Sequence, residues 1–428
     1  MRRMNLVLRY AIASVVMLTQ ISNSSAERDA FRSVTIDQAV EAALRSNDGI
    51  MSDSLEIAIQ SANLQQARLP DNPEIVLESD NVGFTDGNPR KGMPLSIRLE
   101  QSFQPIARKK KSSVATAGVQ IAHVNFLKRK QDLIAETKTR FIAALALQKM
   151  KTLADSLVEI SSKTHGVAVQ QATSGKVSYS DTLRTASEFA LARVQGDRVY
   201  HNLVNAYQEL ASLWGTAQVD FVCQGNELEF VAIVPDSASI LAGLSNAPQN
   251  RLSICELAKK RAELALEEAL RVPSIRAGAG IGTVAGANEI SPQASLSLSI
   301  PFLNRNQGTI KAARYGVSQA EHKRDAMKAQ IRKDALNTYR DAARMLDEIH
   351  LFNGSILPQL QESLAASYAA YVSGKIGILS LMDAQRSFYE TTRDFLEISR
   401  DFQFSLIELE RITATNEFTA KTSQKELP

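Results

Sequence analysis

The sequence is short of the features that mark most enzymes, nucleic-acid-binding proteins and helical membrane proteins. Of its 428 residues only 2 are cysteine and 12 are proline, and only 6% are aromatic. Basic residues exceed acidic ones by only 3 (49 − 46), and the charges are spread along the chain. Nucleic-acid binding needs a concentrated basic surface, so we do not expect it. After residue 26 no segment supplies the ~20 apolar residues of a membrane-spanning helix.

Signals for catalysis or a cofactor are also lacking. The stretch GAGIG (278–282) superficially resembles a dinucleotide-binding loop, but NEISP follows it where a helix should begin, and small residues on a tightly packed strand explain it better. No His or Cys pair has the spacing of metal ligands, and the five histidines are dispersed at positions 123, 165, 201, 322 and 350. We therefore expect no enzyme activity and no cofactor.

The N-terminal segment has the pattern of a secretory signal. Arg2, Arg3 and Arg9 precede an apolar stretch, AIASVVMLTQI, and small and polar residues, SNSSA, come next. This order predicts a signal peptide over residues 1–26, cleaved after Ala26, with a short membrane anchor as the alternative. No cysteine follows the cleavage region, which argues against a lipid anchor there. We expect the protein to be exported.

An exported protein enters an oxidising compartment, which affects the expected state of its two cysteines, Cys223 and Cys255. Disulfides form in oxidising compartments, so a bond between these two residues is favoured over two free thiols.

The chain contains an internal repeat with a shift of about 199 residues. The tripeptide Ser-Gly-Lys occurs at 174–176 and again at 373–375 (373 − 174 = 199). Other landmarks follow in the same order: Asp37 with Asp236, Ser46 with Ser245, Phe189 with Phe388, Leu203 with Phe402, and Leu210 with Leu409. Such a pattern predicts one structural unit used twice. The predicted divisions are a first repeat over 27–220, a connecting segment over 221–250, a second repeat over 251–413 and a tail over 414–428.

Each repeat contains a long helical hairpin. Residues 106–173 contain no proline and only two glycines, and as one helix they would span roughly 100 Å at 1.5 Å per residue. A second helix is predicted over 177–213, and the later copy over 305–373 and 376–412. Apolar residues recur every seven positions in the last helix, as in a coiled coil: Leu381, Phe388, Phe395, Phe402 and Leu409. The hairpin tips are then about 174–178 and 373–377, and Pro358 predicts a kink.

Four segments alternate with period two, as strands do. They are residues 74–84, 94–103, 274–284 and 293–302, joined in pairs by polar turns. Their length suits tilted transmembrane strands of roughly 9–11 residues. One such strand would favour a soluble hairpin with one buried face, but four in an exported chain favour a membrane barrel. Four strands cannot close a barrel and open edges cannot face lipid, so we expect an oligomer whose strand number is a multiple of four.

These features together resemble the TolC-type outer-membrane efflux channels, over roughly residues 35–413. VTIDQAVEAALRSND (34–48) is similar to the family's N-terminal helix motif, and PDSASILAGLSNAPQ (235–249) to its degenerate second copy. ARLPDNPEIVLESDN (67–81) and SIPFLNRNQGTIKAAR (299–314) look like the branch that serves heavy-metal cation pumps.

The resemblance implies a mainly α-helical fold with a membrane β-barrel portion. Three chains would form a 12-stranded barrel in the outer membrane and a 12-helix tunnel through the periplasm. The trimer would be a passive duct that docks onto a periplasmic adaptor and an inner-membrane RND pump and exports heavy-metal cations. Drug efflux and type I protein secretion are alternatives within channels. A periplasmic adaptor, with one hairpin flanked by compact β domains, is the alternative of another class.

The resemblance also implies a gate where the tips converge at the periplasmic end. In the family, acidic residues at the second tip ring the closed entrance; Asp383 matches such a position, whereas another position holds Ser380. Ordinary exposed carboxylates are the alternative for Asp181 and Asp383. We assign to the gate and adaptor contact the turn glycines, the lysines after them and the nearby carboxylates: Gly175, Lys176, Asp181, Gly374, Lys375 and Asp383.

Overall fold

The computed structural model describes residues 32–79, 84–85, 88–89, 95–216, 219–228, 234, 236–283 and 289–414. The predicted signal peptide and nearly all of the predicted tail lie outside these residues. The same series of elements occurs twice along the described chain: two helices, two long strands and a long helical hairpin. This order confirms the internal repeat, while the predicted domain boundaries remain predictions.

The first series is preceded by a short strand. In chain order its elements are β1 (Arg32–Val34), α1 (Ile36–Ser46), α2 (Asp48–Arg68), β2 (Glu74–Ser79), the two-residue strands β3 (Phe84–Thr85) and β4 (Asn88–Pro89), β5 (Leu95–Phe103), α3 (Pro105–Thr173) and α4 (Tyr179–Ser212).

The second series also follows a short strand. Its elements are β6 (Phe221–Cys223), α5 (Ser237–Gly243), a 3₁₀ turn (Leu244–Asn246), α6 (Pro248–Ala269), β7 (Ser274–Thr283), β8 (Ile290–Ser299), α7 (Gln307–Leu351), a π-helical turn (Phe352–Ile356), α8 (Leu357–Val372) and α9 (Ile378–Thr413).

The long hairpins are where the sequence predicted them. Helix α3 has 69 residues, a length of about 100 Å at 1.5 Å per residue, and α4 returns alongside it. In the second hairpin the outgoing arm is interrupted, because the π-helical turn separates α7 from α8.

Pro358 explains this interruption. A proline inside a helix lacks an N–H donor, and its ring clashes with the carbonyl group four residues earlier, here that of Gly354. The wider π-helical turn precedes the proline directly, with the N–H of Leu357 donating to the carbonyl of Phe352, five residues back. The predicted irregularity is confirmed, and its site is the turn before the proline.

The seven-residue seam of α9 faces its neighbours. Leu381, Phe402 and Leu409 are fully buried or nearly so, and the two intervening phenylalanines are partly buried. Phe402 packs with Ala342 and Ile349 of α7, and Leu409 belongs to a cluster with Ile331 and Ala335. Apolar contact along the whole seam therefore holds the second hairpin together.

The largest core cluster lies where the two copies meet. Phe141 and Leu145 of α3 pack there with Leu210 of α4 and Phe221 of β6. Strand β1 pairs in parallel with β6, with Val34 opposite Cys223, so the start of the first copy is attached to the segment that leads into the second. The sequence did not predict this pairing.

The predicted disulfide is wrong, since both cysteines are free thiols. Cys223 is buried inside this core cluster, where burial first and the nearby charge of Glu227 second raise its pKa to about 12. Cys255 lies on α6, is only partly buried and is not a member of the cluster.

The four long strands form one antiparallel sheet in the order β2-β5-β7-β8. The two predicted hairpins are present, and the pairing of β5 with β7 joins the two copies. The last strand covers Ile290–Ser299, earlier than predicted: Thr283 pairs with Ile290, and Pro301, just beyond the strand end, cannot donate to the ladder. Residues 80–83, which the prediction gave to the first strand, lie outside the described residues.

Among the described residues, no helix is both long enough and apolar enough to cross a membrane.

Candidate gate at the hairpin tips

The first hairpin reverses at tip 1, residues 174–178. Gly175 has φ 70°, a left-handed conformation that glycine adopts without a steric penalty. The N–H of Lys176 donates to the carbonyl of Gln171 over 2.9 Å, and the N–H of Gly175 to that of Ala172 over 3.0 Å. This pair of bonds is a Schellman motif, which satisfies carbonyl groups at the end of α3.

Tip 2, residues 373–377, repeats the turn. Gly374 has φ 75°. The N–H of Lys375 donates to the carbonyl of Ala370 over 2.8 Å, and the N–H of Gly374 to that of Tyr371 over 2.9 Å. The structure therefore places both turn glycines at equivalent positions of two equivalent reversals.

The tip surfaces combine positive charge with apolar side chains. Lys176 and Lys375 are exposed. Around them four large apolar side chains are also exposed: Tyr179, Leu183, Val372 and Leu379. Exposed apolar groups next to charged ones are a common composition for a protein-binding surface.

Asp181 has a structural contact at tip 1. Ser178 is the N-cap of α4, and its hydroxyl accepts from the N–H of Asp181 over 3.2 Å. The carboxylate of Asp181 in return accepts from the N–H of Ser178 over 3.3 Å and from its hydroxyl over 2.9 Å. This is a capping box, so Asp181 satisfies donors at the start of α4.

Asp383 is in a different position. It lies on the exposed side of α9 and has no hydrogen bond or ion pair among the described residues. Gly377 is the N-cap of α9 and supplies no side-chain cap, and Ser380 stands where α4 has Asp181. The structure therefore leaves the carboxylate of Asp383 available and uses that of Asp181 locally.

The second hairpin contacts the first close to tip 2. Tyr371, Ile378, Leu381 and Met382 form a buried cluster at tip 2, and Val167 of α3 packs against it. Tyr371 is only 1% exposed, and its hydroxyl has no hydrogen-bond partner among the described residues. Burial first and the charge of Asp181 second raise the pKa of Tyr371.

A buried hydrogen bond, called here the hairpin tie, joins the second hairpin to the first. The side-chain amide of Gln385 on α9 donates to the hydroxyl of Thr164 on α3 over 2.9 Å, and both side chains are buried. One residue on, Arg386 lies 3.4 Å from Glu188 of α4 at the surface. The sequence prediction missed the tie, although Gln385 stands four residues after Leu381 and so shares its inward face.

The four-stranded sheet separates apolar from polar side chains. Directly paired residues share a face, and the pairs Ile75–Leu99, Ile97–Ile281 and Ile275–Leu298 place apolar groups on one face. The large apolar side chains on this face are between 45% and 78% exposed. A wide apolar surface of this kind requires a cover of lipid or protein.

No group of three or more His, Cys, Asp or Glu side chains that could hold a metal ion occurs in the described part of the chain.

Comparisons with known proteins agree with this fold. Residues 242–415 match the family described as outer membrane efflux protein. The cobalt-zinc-cadmium resistance protein CzcC of Cupriavidus metallidurans is 22% identical over 374 residues, covering 87% of this chain and 88% of CzcC.

Solved structures agree as well. Crystal structures of CusC, which describe transmembrane channel formation, superpose with a TM-score of 0.77 at 17% identity over 89% of this chain and 92% of CusC. The MtrE outer membrane channel of Neisseria gonorrhoeae superposes with a TM-score of 0.74 at 17% identity, covering 89% of each chain. The predicted fold class is confirmed, and so is the predicted resemblance to outer membrane efflux proteins.

Proposed function

We propose that this protein is the outer-membrane channel of a tripartite efflux system and exports heavy-metal cations. The main support for the proposal is the sheet. Its four antiparallel strands have an exposed apolar face, and the two long hairpins follow strands that end at the same edge of the sheet. CzcC, a relative over most of the chain, is a cobalt-zinc-cadmium resistance protein, which supports the choice of cargo.

The sheet also supports the assembly. Strands β2 and β8 are its outer strands, and their free edges would leave backbone groups unpaired in lipid at a cost of several kcal/mol each. Pairing β8 of one chain with β2 of the next removes both edges. Three chains would give the 12-stranded barrel and 12-helix tunnel that the family resemblance implies, located in the outer membrane and extending into the periplasm.

The tips would then lie at the periplasmic entrance. The hairpins start at the sheet and extend away from it, so six tips from three chains would surround the far end. Lys176 and Lys375, with the exposed apolar residues beside them, would contact a periplasmic adaptor that connects the channel to an inner-membrane RND pump.

Asp383 would supply a ring of three carboxylates at this entrance. A ring of like charge raises the local concentration of cations and repels anions. The same charges repel one another when the entrance is closed, and adaptor docking would relieve that strain. Asp181 would support the ring only indirectly, because its carboxylate caps α4.

A channel for drugs or for type I protein secretion is the second candidate, since a passive duct distinguishes its cargo weakly. A periplasmic adaptor is disfavoured because the chain has two hairpins and one sheet with an exposed apolar face.

Deleting the gene and measuring growth against cobalt, zinc, cadmium, nickel, copper and a panel of drugs tests the cargo. We expect lower metal tolerance and unchanged drug tolerance, both restored by the gene on a plasmid. Lost drug tolerance with unchanged metal tolerance would favour the second candidate. Recovery of the mature protein in the soluble periplasmic fraction, instead of the outer membrane, would contradict the channel itself.

A further inference from the structure

All charged residues of the four long strands lie on the face of the sheet opposite the apolar one. The register places Glu74 opposite Glu100, Glu78 opposite Ser96, and Arg276 opposite Ser102. Arg98 shares this face because it lies two residues from both Ser96 and Glu100. In the proposed barrel the apolar face contacts lipid, so this polar face lines the lumen.

These five side chains, Glu74, Glu78, Arg98, Glu100 and Arg276, form one ion-pair network. Arg98 donates to the carboxylate of Glu78, and its Nε lies 3.5 Å from Oε1 of Glu100. Nη1 of Arg276 lies 3.6 Å from Oε2 of Glu74 and 3.9 Å from Oε2 of Glu100. Every carboxylate of the network has a guanidinium partner, and among the described residues Glu78 has only that of Arg98.

The glycines of β7 make room for this arrangement. Nη1 of Arg98 donates to Oε1 of Gln293 on β8 over 3.3 Å, so its side chain crosses β7. It crosses at Gly280, the residue paired with Arg98, where a Cβ atom would overlap the carbonyl oxygen of Ile97 and stand 2.7 Å from Cγ of Arg98. At Gly278 a Cβ atom would stand 2.7 Å from Cγ of Glu100. The stretch GAGIG therefore lets β7 lie close to the backbone of β5 and leaves space for the side chains of Arg98 and Glu100.

The core of the network is complete within one chain. Arg98 and Glu100 are on β5, and Arg276 is on β7; these two are the central strands of the sheet. A neighbouring chain in the trimer would pair with β2 or β8, so its strands would not displace these contacts.

We propose that Arg98 keeps the wall of the channel from retaining the divalent cations that pass through it, an inference that rests on the proposed channel function. Carboxylate oxygens are the ligands that hard divalent cations prefer, so an unpaired luminal glutamate would bind cargo. Two arginines against three glutamates leave one negative charge per chain (2 − 3 = −1), or three per trimer. Without Arg98 the balance is 1 − 3 = −2 per chain, or six negative charges per trimer.

Glu78 is the carboxylate that this loss would expose to cargo. Its side chain is 48% exposed and would lose its one ion-pair partner in the described part of the chain. Glu100 is only 11% exposed and keeps both Arg276 and a hydrogen bond of 3.0 Å from the hydroxyl of Ser295. Binding of divalent cations after the loss of Arg98 should therefore occur at Glu78.

The test uses the purified full-length protein in planar lipid bilayers with KCl on both sides and CoCl₂ added as the probe. Arg98→Gln should raise selectivity for potassium over chloride and lower the half-blocking cobalt concentration about tenfold, in line with the effect of focused charge on local ion concentration. The double variant Arg98→Gln/Glu78→Gln should return the block to the wild-type value. Arg45→Gln, the same substitution at a side chain on α1 that is 79% exposed, is the matched control and should leave block and selectivity unchanged.

Wild-type block and selectivity in Arg98→Gln would overturn the inference, as would a block that persists in the double variant. If Arg98→Gln forms no trimer, Arg276→Gln is measured in its place. It should shift selectivity and cobalt block in the same direction by a smaller factor, and the double variant Arg276→Gln/Glu74→Gln should reverse that shift. No shift in Arg276→Gln overturns the inference. Absence of any conductance from wild-type trimers is a different result, since it contradicts the proposed channel and not the role of Arg98 alone.

Discussion

The two hairpin tips have the same turn but different helix starts. Both reverse through a glycine with positive φ and the same pair of backbone hydrogen bonds. After tip 1, Ser178 and Asp181 form a capping box. After tip 2, the positions 199 residues later hold Gly377 and Ser380, and no side chain caps α9.

This difference indicates that tip 1 is stabilised locally and tip 2 by its contact with the first hairpin. The first turn of α4 has its own side-chain acceptors for its backbone donors. Tip 2 depends on the burial of Tyr371 and on the hairpin tie between Gln385 and Thr164. If the tips form the proposed gate, we expect the second tip to separate when the entrance opens and the first tip to stay fixed.

The largest expected effect comes from breaking the hairpin tie. Gln385→Ala removes a buried donor and leaves the hydroxyl of Thr164 without this partner, at a cost of about 1–3 kcal/mol. We expect faster hydrogen–deuterium exchange at tip 2 and unchanged exchange at tip 1. Arg386→Ala, one residue away at the surface, is the control and should change neither tip; equal effects of the two variants would refute the role of the tie.

Removing the cap of tip 1 should have the next largest effect. Ser178→Ala deletes the N-cap hydroxyl, which typically costs ~1 kcal/mol. Amide exchange should rise over the first turn of α4 and stay unchanged over the first turn of α9. The corresponding change at tip 2, Gly377→Ala, removes no side-chain hydrogen bond and serves as the comparison. Equal exchange in the wild type and Ser178→Ala would show that the box does not stabilise α4.

Transferring the capping box to tip 2 sharpens the same comparison. The double variant Gly377→Ser/Ser380→Asp gives α9 the residues that cap α4, and the backbone of Gly377 is already extended, with φ −79° and ψ 161°. We expect slower exchange at the start of α9, by an amount that corresponds to roughly 0.5–1 kcal/mol. Either single variant should have a smaller effect. Unchanged exchange in the double variant would show that something other than the missing cap distinguishes the tips.

The smallest effect concerns Tyr371 and pH. Its pKa is raised above the ordinary value near 10, so the folded state favours the neutral hydroxyl. Below pH 10 the contribution of Tyr371 to the stability of the folded state is fully present. That contribution is lost as the pH rises from the ordinary pKa through the raised one. Tyr371→Phe should abolish the alkaline loss of tip 2 protection in exchange measurements, while Tyr179→Phe, at an exposed tyrosine of tip 1, should retain it. An alkaline loss that persists in Tyr371→Phe would assign the effect to another group.

Periodicity predicted the parts of the fold that depend on one segment at a time. The seven-residue repeat of α9 and the alternation in β5 each identify a face, and both faces are where the sequence placed them. The Ser-x-x-Asp spacing of the capping box was also readable in the sequence, although Asp181 was assigned to the gate. Alternation likewise put Arg98 and Glu100 on one face.

Contacts between distant segments could not be predicted in this way. The pairing of β1 with β6, the tie between Thr164 and Gln385, and the separate environments of the two cysteines depend on how long elements dock. A single sequence shows which face of a helix is apolar, but not which residue of another helix lies against it. The gate roles of the lysines and of Asp383 remain predictions for the same reason.

Single-channel recording tests the central claim most directly, because it asks whether this protein forms a pore that tip 2 closes. Purified full-length trimers should give brief, infrequent openings in a planar bilayer, and Gln385→Ala trimers should open more often and for longer, with Arg386→Ala trimers like the wild type. No conductance from well-formed trimers of either the wild type or Gln385→Ala would contradict the account.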